Sequence, residues 1–94
     1  MGEIGTAIQG AIGYLTQHPD EAAYTDTAAT ARLKAGLRVV TTGPGSESVA
    51  TDMVAAVGGG GTAPSPGWLL RAAAASCVAT LIAMRAAMLG LTLT

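Results

Sequence analysis

The sequence contains no phenylalanine, one cysteine, one histidine and only three aromatic residues, Tyr14, Tyr24 and Trp68. A single cysteine excludes an internal disulfide and any Cys-rich metal site, and it fits a reducing compartment better than a secreted one. The opening residues carry no secretory signal pattern, so a cytoplasmic location is expected. Charged residues make up 12% of the chain, and its five basic residues are scattered, which leaves no basic patch for nucleic acid. Metal-ligand spacing is missing, and no cofactor motif occurs. The uncharged run Ala72 to Met84 is short of the ~20 residues a bilayer span needs, so no membrane association is expected. MGEIGT fits the pattern of a myristoylation site, but Gly2 heads what reads as an ordinary amphipathic helix.

What is present is apolar and small. Half of the 94 residues are hydrophobic, and alanine dominates that half. Alanine buries little area, so a single domain over residues 1–94 would own a thin core. Close helix packing and a partner subunit are expected to complete it.

The longest ordered stretch is Ser65 to Gly90, read as one helix. Ser65 can cap a free N–H, Pro66 suits the first helical position, and Gly90 supplies the stop. Leu70, Ala73, Ala74, Cys77, Leu81, Met84 and Met88 form an apolar stripe at three- and four-residue steps. Most of the remaining circumference is apolar too, which predicts a central, buried helix. Arg71 and Arg85 lie on one flank, within about 40° of each other.

Ahead of it, Ile4, Ala7, Ile8, Ala11, Ile12 and Leu15 predict an amphipathic helix over residues 3–17, weakened by Gly5, Gly10 and Gly13. His18-Pro19 ends it, and His18 reads as a last-turn side chain near exposed carbonyls. Residues 19–23 can add one more turn. From Ala29 the period changes to two. Strands are expected within 29–53: a hairpin turning at Lys34 to Gly36, a β-branched run from Leu37 to Thr42, a turn at Gly43 to Ser46, and a third strand from Ser48 to Met53. The long helix is the natural cover for one face of this sheet. Gly58 to Gly61 then reads as a flexible linker or close-packing loop rather than an anion site, since it lacks the Gly-Lys-Ser/Thr of a phosphate loop.

Cys77 is the only residue with much chemical promise. As a small hydrophobe in an Ala-rich helix it could simply be packing. Reactivity requires a thiolate, hence a nearby cation or helix N-terminus. Cys77 is about three turns into the helix, beyond reach of the dipole, and neither Arg71 nor Arg85 faces it. An activating cation must come from another segment, and Arg32 and Arg38 of the hairpin are the candidates.

The string APSPGWLLRAAAASCVATLIAMRAAMLGL resembles the signature of the OsmC/Ohr family, a Pro-started helix with the pattern P-x-x-L-L-x-A-A-x-A-S-C followed by apolar residues to a glycine. ARLKAGLRVV and VGGGGTAPS are similar to that family's preceding hairpin and linker. The resemblance covers Ala28 to Thr94, the N-terminal half of such proteins. It implies an α+β fold in which a small antiparallel sheet and a long central helix build an intertwined homodimer. It also implies reduction of organic hydroperoxides or hydrogen peroxide at Cys77, polarised by an Arg and a Glu, through a sulfenic acid and then a disulfide. The family's Glu falls at Gly67 here, its Arg corresponds to Arg32 or Arg38, and its second cysteine has no counterpart in the sequence. Turnover then needs an external thiol reductant or an intersubunit disulfide. The alternative is a non-catalytic OsmC-like dimer module, or a binder of small apolar molecules, with Cys77 structural.

Overall fold

The computed structural model describes residues 2–93 and is α+β. A helix α1 (Glu3–Gln17) is followed by a short 3-10 turn (Pro19–Ala22), three strands β1 (Thr30–Ala35), β2 (Arg38–Thr42) and β3 (Ser48–Thr51), a second 3-10 turn (Ala55–Val57) and a long helix α2 (Pro66–Met88). Two compact units divide these elements: residues 26–73 form one, and residues up to 25 together with those from 74 onward form the other.

In the first unit the strands make an antiparallel meander in the order β1-β2-β3. The registers pair Leu33 with Val39 and Val39 with Thr51, which puts these three on one face. Arg32 pairs with Val40 and Val40 with Ala50, on the other. The hairpin turns one position later than the sequence suggests. Ala35 pairs with Arg38, so Gly36 and Leu37 are the two turn residues, and the register shifts between Leu33 and Ala35. Gly36 has φ 58°, and a glycine at the first central position is what a two-residue hairpin turn of type II′ demands. The third strand is also shorter than expected. It stops at Thr51 because the Asp52 N–H leaves the ladder and donates to the Pro64 carbonyl at 3.1 Å. Within this unit no second layer closes over the sheet, and Leu33 remains 68% exposed.

The second unit holds α1 and most of α2. The α1 boundaries are those the apolar spacing predicts, and His18 caps the helix by donating its N–H to the Tyr14 carbonyl at 2.9 Å. The end of α2 is a Schellman motif: Leu91 N–H donates to the Ala86 carbonyl at 2.8 Å, Gly90 N–H to Ala87 at 3.2 Å, and Gly90 takes φ 70°. At the other end Ser65 Oγ accepts from Trp68 N–H at 3.2 Å, and Pro66 is the first helical residue.

The expectation of a buried central helix fails within this chain. Ala86 is the only buried residue of α2, while Leu70, Val78, Leu81 and Ile82 are all more than half exposed. An Ala-rich helix that is apolar around its circumference needs neighbours on every side, and the 15-residue α1, itself interrupted by glycines, cannot supply them. By length and composition the 23-residue α2 meets the requirement for a membrane span as well as that for a core helix of an assembly.

Candidate functional site

Cys77, the residue with the clearest chemistry, is exposed and sits near the middle of α2. Its thiol is therefore not the buried packing group that composition alone favours. Counting along the helix by fours from Cys77 gives Leu81, Arg85 and Leu89. These last three line an open apolar cleft of about 440 Å³, together with Val78, Ile82 and residues after the helix stop such as Leu91. Cys77 thus stands one turn beyond the cleft on the same row of side chains.

Arg32 and Arg38 both belong to the sheet unit. Arg32 lies opposite Val40, and Arg38 is two residues from Val40 on the same strand, so the two arginines share one face. Arg32 is exposed, whereas Arg38 is half-buried and its Nη1 donates to Thr62 Oγ1 at 2.9 Å. Gly67, where the resemblance calls for a Glu, has no side chain, and a Cβ there would touch only Arg71 Nη1, at an ordinary 3.7 Å.

The polar centre of the sheet unit is one the sequence reading missed. Asp52 is 3% exposed, yet every oxygen of its carboxylate is satisfied. Oδ1 accepts from Met53 N–H at 2.7 Å and Gly60 N–H at 3.3 Å. Oδ2 accepts from Thr62 N–H at 3.2 Å and from the Thr62 hydroxyl at 2.6 Å. The Thr62 hydroxyl, followed by the backbone donors, stabilises the ionised form and lowers the Asp52 pKa to about 2.

The glycine run is accordingly no free linker. It is wrapped around this carboxylate, with Gly61 N–H donating to the Met53 carbonyl at 3.0 Å and Gly59 N–H to Val54 at 3.0 Å. A Cβ on Gly59 would collide with the Met53 carbonyl oxygen, so only glycine fits there. The loop amides that could have held an external anion are turned onto the chain's own anion. An Asp that ends a strand, with glycines and a Thr eight to ten residues on, is the signal that marks it in the sequence.

A second polar group closes the end of α1. The Tyr14 hydroxyl donates to both Glu21 oxygens at 2.9 and 2.8 Å, and the Tyr14 ring stacks on His18 at 4.1 Å between centroids. The His18 Nδ1 lies 2.9 Å from the Tyr14 carbonyl oxygen, the last-turn role its position suggests. The Glu21 carboxylate raises the Tyr14 phenol above its ordinary 10.0, with a smaller contribution from desolvation. No three His, Cys, Asp or Glu side chains group as metal ligands among the described residues.

No family model, no curated protein and no solved structure matches this chain.

Proposed function

We propose that the chain is an OsmC-like thiol peroxidase subunit that reduces organic hydroperoxides at Cys77 and works as a cytoplasmic homodimer. The observation that carries this reading is the exposed Cys77 at the middle of an α2 whose apolar surface the chain does not cover. A thiol in that place can meet an oxidant, and the apolar residues one turn away suit the hydrocarbon part of an organic hydroperoxide.

In this scheme the Cys77 thiolate attacks the terminal peroxide oxygen of ROOH. The S–O bond forms as the O–O bond breaks, and the departing alkoxide takes a proton and leaves as ROH. Cys77 is then a sulfenic acid, oxidised by two electrons. An external dithiol condenses with it, releasing water and forming a mixed disulfide, and the dithiol's second sulfur displaces the Cys77 thiolate as a cyclic disulfide. Thiolate chemistry requires a nearby positive charge, and Arg32 and Arg38 are the candidates that the resemblance offers for it.

A second copy of the chain is the proposed cover for α2. Each half-exposed Leu, Ile or Val that it buries contributes about 1 kcal/mol, so Leu70, Val78, Leu81 and Ile82 on each subunit make a substantial driving force. The reading is tested by following cumene hydroperoxide consumption with dithiothreitol as reductant. The wild-type chain should give catalytic turnover with cumyl alcohol as product, and Cys77→Ser none. The second reading, an OsmC-like module that binds a small apolar molecule without chemistry, draws on the cleft beside Val78 and Leu81. It requires equal binding of an apolar dye by wild type and Cys77→Ser, with no peroxide turnover by either.

A further inference from the structure

The apolar cleft at the end of α2 carries a single charge. Val78, Leu81 and Ile82 of the helix and Leu89, Leu91 and Leu93 after it supply the walls, and Arg85 is the one charged residue of the lining. The helix stop builds this shape. Gly90 takes φ 70° and Leu91 N–H donates to the Ala86 carbonyl at 2.8 Å, so the chain leaves α2 beside its last turn and brings Leu91 and Leu93 to the cleft. All of these residues belong to one compact unit.

A cation in the last turn of a helix ordinarily takes free carbonyls or pairs with an acid. The carbonyls next to Arg85 are already used: those of Arg85, Ala86 and Ala87 accept from Leu89, Leu91 and Gly90 N–H. No Asp or Glu lines the cleft. Of the acids in the same unit, Glu21 is held by the Tyr14 hydroxyl, and Glu3 lines a separate hollow beside Ala87 and Leu91.

We propose that this cleft takes a compact apolar molecule bearing one negative oxyanion, a carboxylate or sulfonate, with its body against the Leu, Ile and Val side chains and its charge at Arg85. The proposal rests on the use of the cleft as a ligand site in the reading above and adds the charge of the ligand. A cleft of about 440 Å³ is within the range of small-molecule sites, which pair apolar walls with a few polar groups that fix orientation. The guanidinium is always charged, and its planar fork matches an oxyanion at two points. An Arg stem lies along apolar surface while its head stays in water, so ligand body and ligand charge are both satisfied and no unpaired charge is buried. A neutral ligand gains the same apolar contact and leaves Arg85 to water. The cleft is open, which leaves room for the second copy proposed above to lie over the ligand.

The test uses the full chain and two dyes that share an aromatic body, anionic anilinonaphthalene sulfonate and neutral phenylnaphthylamine, titrated by fluorescence at low ionic strength. Arg85→Gln should weaken the anionic dye by about fivefold and leave the neutral dye within about twofold, the scale of an exposed charge pair. Added salt should weaken the anionic dye alone in the wild type. Arg71→Gln removes the other charge of α2, which is not in the lining, and should leave both dyes unchanged. Both arginines are exposed, and thermal unfolding checks that the variants fold. An anionic dye indifferent to Arg85→Gln, or weakened equally by Arg71→Gln, overturns the proposal, while binding of the neutral dye leaves the cleft as a ligand site. Failure of the wild type to bind either dye overturns the proposal and the use of the cleft together.

Discussion

The Thr62 hydroxyl donates a 2.6 Å hydrogen bond to Asp52 Oδ2, and these two residues, ten positions apart, close the glycine-rich loop into a rigid turn. The loop joins the last strand to the long helix, so its shape sets where Ser65 and Pro66 begin α2. Its chief consequence is electrostatic and appears at acid pH.

Asp52 is held at a pKa of about 2 in the folded protein, below its ordinary 3.8. A depressed carboxylate contributes stability that is complete above the unfolded value and is lost as pH falls through the folded one. Stability of the wild type should therefore decline between about pH 4 and pH 2. Asp52→Asn should be less stable than wild type at pH 7, with the gap narrowing toward pH 2. Urea denaturation at pH 7, 4 and 2.5 checks this, and an unchanged gap across the series would contradict the assigned role of the carboxylate.

Glycines in this chain divide sharply by what surrounds them. Gly59 faces the Met53 carbonyl so closely that any Cβ forces the loop apart, whereas a Cβ on Gly13 in α1 meets nothing within 4 Å. Gly59→Ala should cost more than ~1 kcal/mol, and Gly13→Ala should add about 0.5–1 kcal/mol by improving helix propensity. Opposite signs in thermal melts of the two variants are the expected result.

Tyr14 and Glu21 are joined by a hydrogen bond that requires the phenol to keep its proton while the carboxylate is ionised. Replacing Glu21 by Gln removes the charge that resists phenol ionisation. Spectrophotometric titration should then show the Tyr14 transition moving down toward 10.0 in Glu21→Gln. A transition that stays put would mean the pair does not form in solution.

The exposed surface of α2 predicts self-association. Sedimentation should show a dimer at micromolar concentration, and Leu81→Asp or Ile82→Asp, each placing a charge on a side chain more than half exposed in the single chain, should shift it toward monomer. A monodisperse wild-type monomer would remove the dimer from the account.

How much of this was legible in the sequence depended on the range of the interactions. Both ends of α2 followed local rules: Ser65 and Pro66 start it, and Gly90 stops it through a left-handed residue. The α1 boundaries followed from apolar spacing alone. The hairpin is visible in the period of two, but the irregularity between Leu33 and Ala35 moves its turn one position later than that period implies. Asp52 reads as part of the third strand, since nothing within a few residues shows that Gly60 and Thr62 will reach back to it. Burial of α2 is what its composition calls for, and composition records what a helix needs without saying whether the same chain supplies it.

On the proposed reading Cys77 is an activated thiol. The most direct measurement is the second-order rate of sulfenic acid formation at Cys77 with cumene hydroperoxide, read by mass spectrometry at pH 6 to 7 beside free cysteine. The account predicts oxidation at least about tenfold faster than free cysteine, as an activated thiol requires. Oxidation at the rate of free cysteine would contradict it and leave Cys77 as a residue of the helix surface with no redox role.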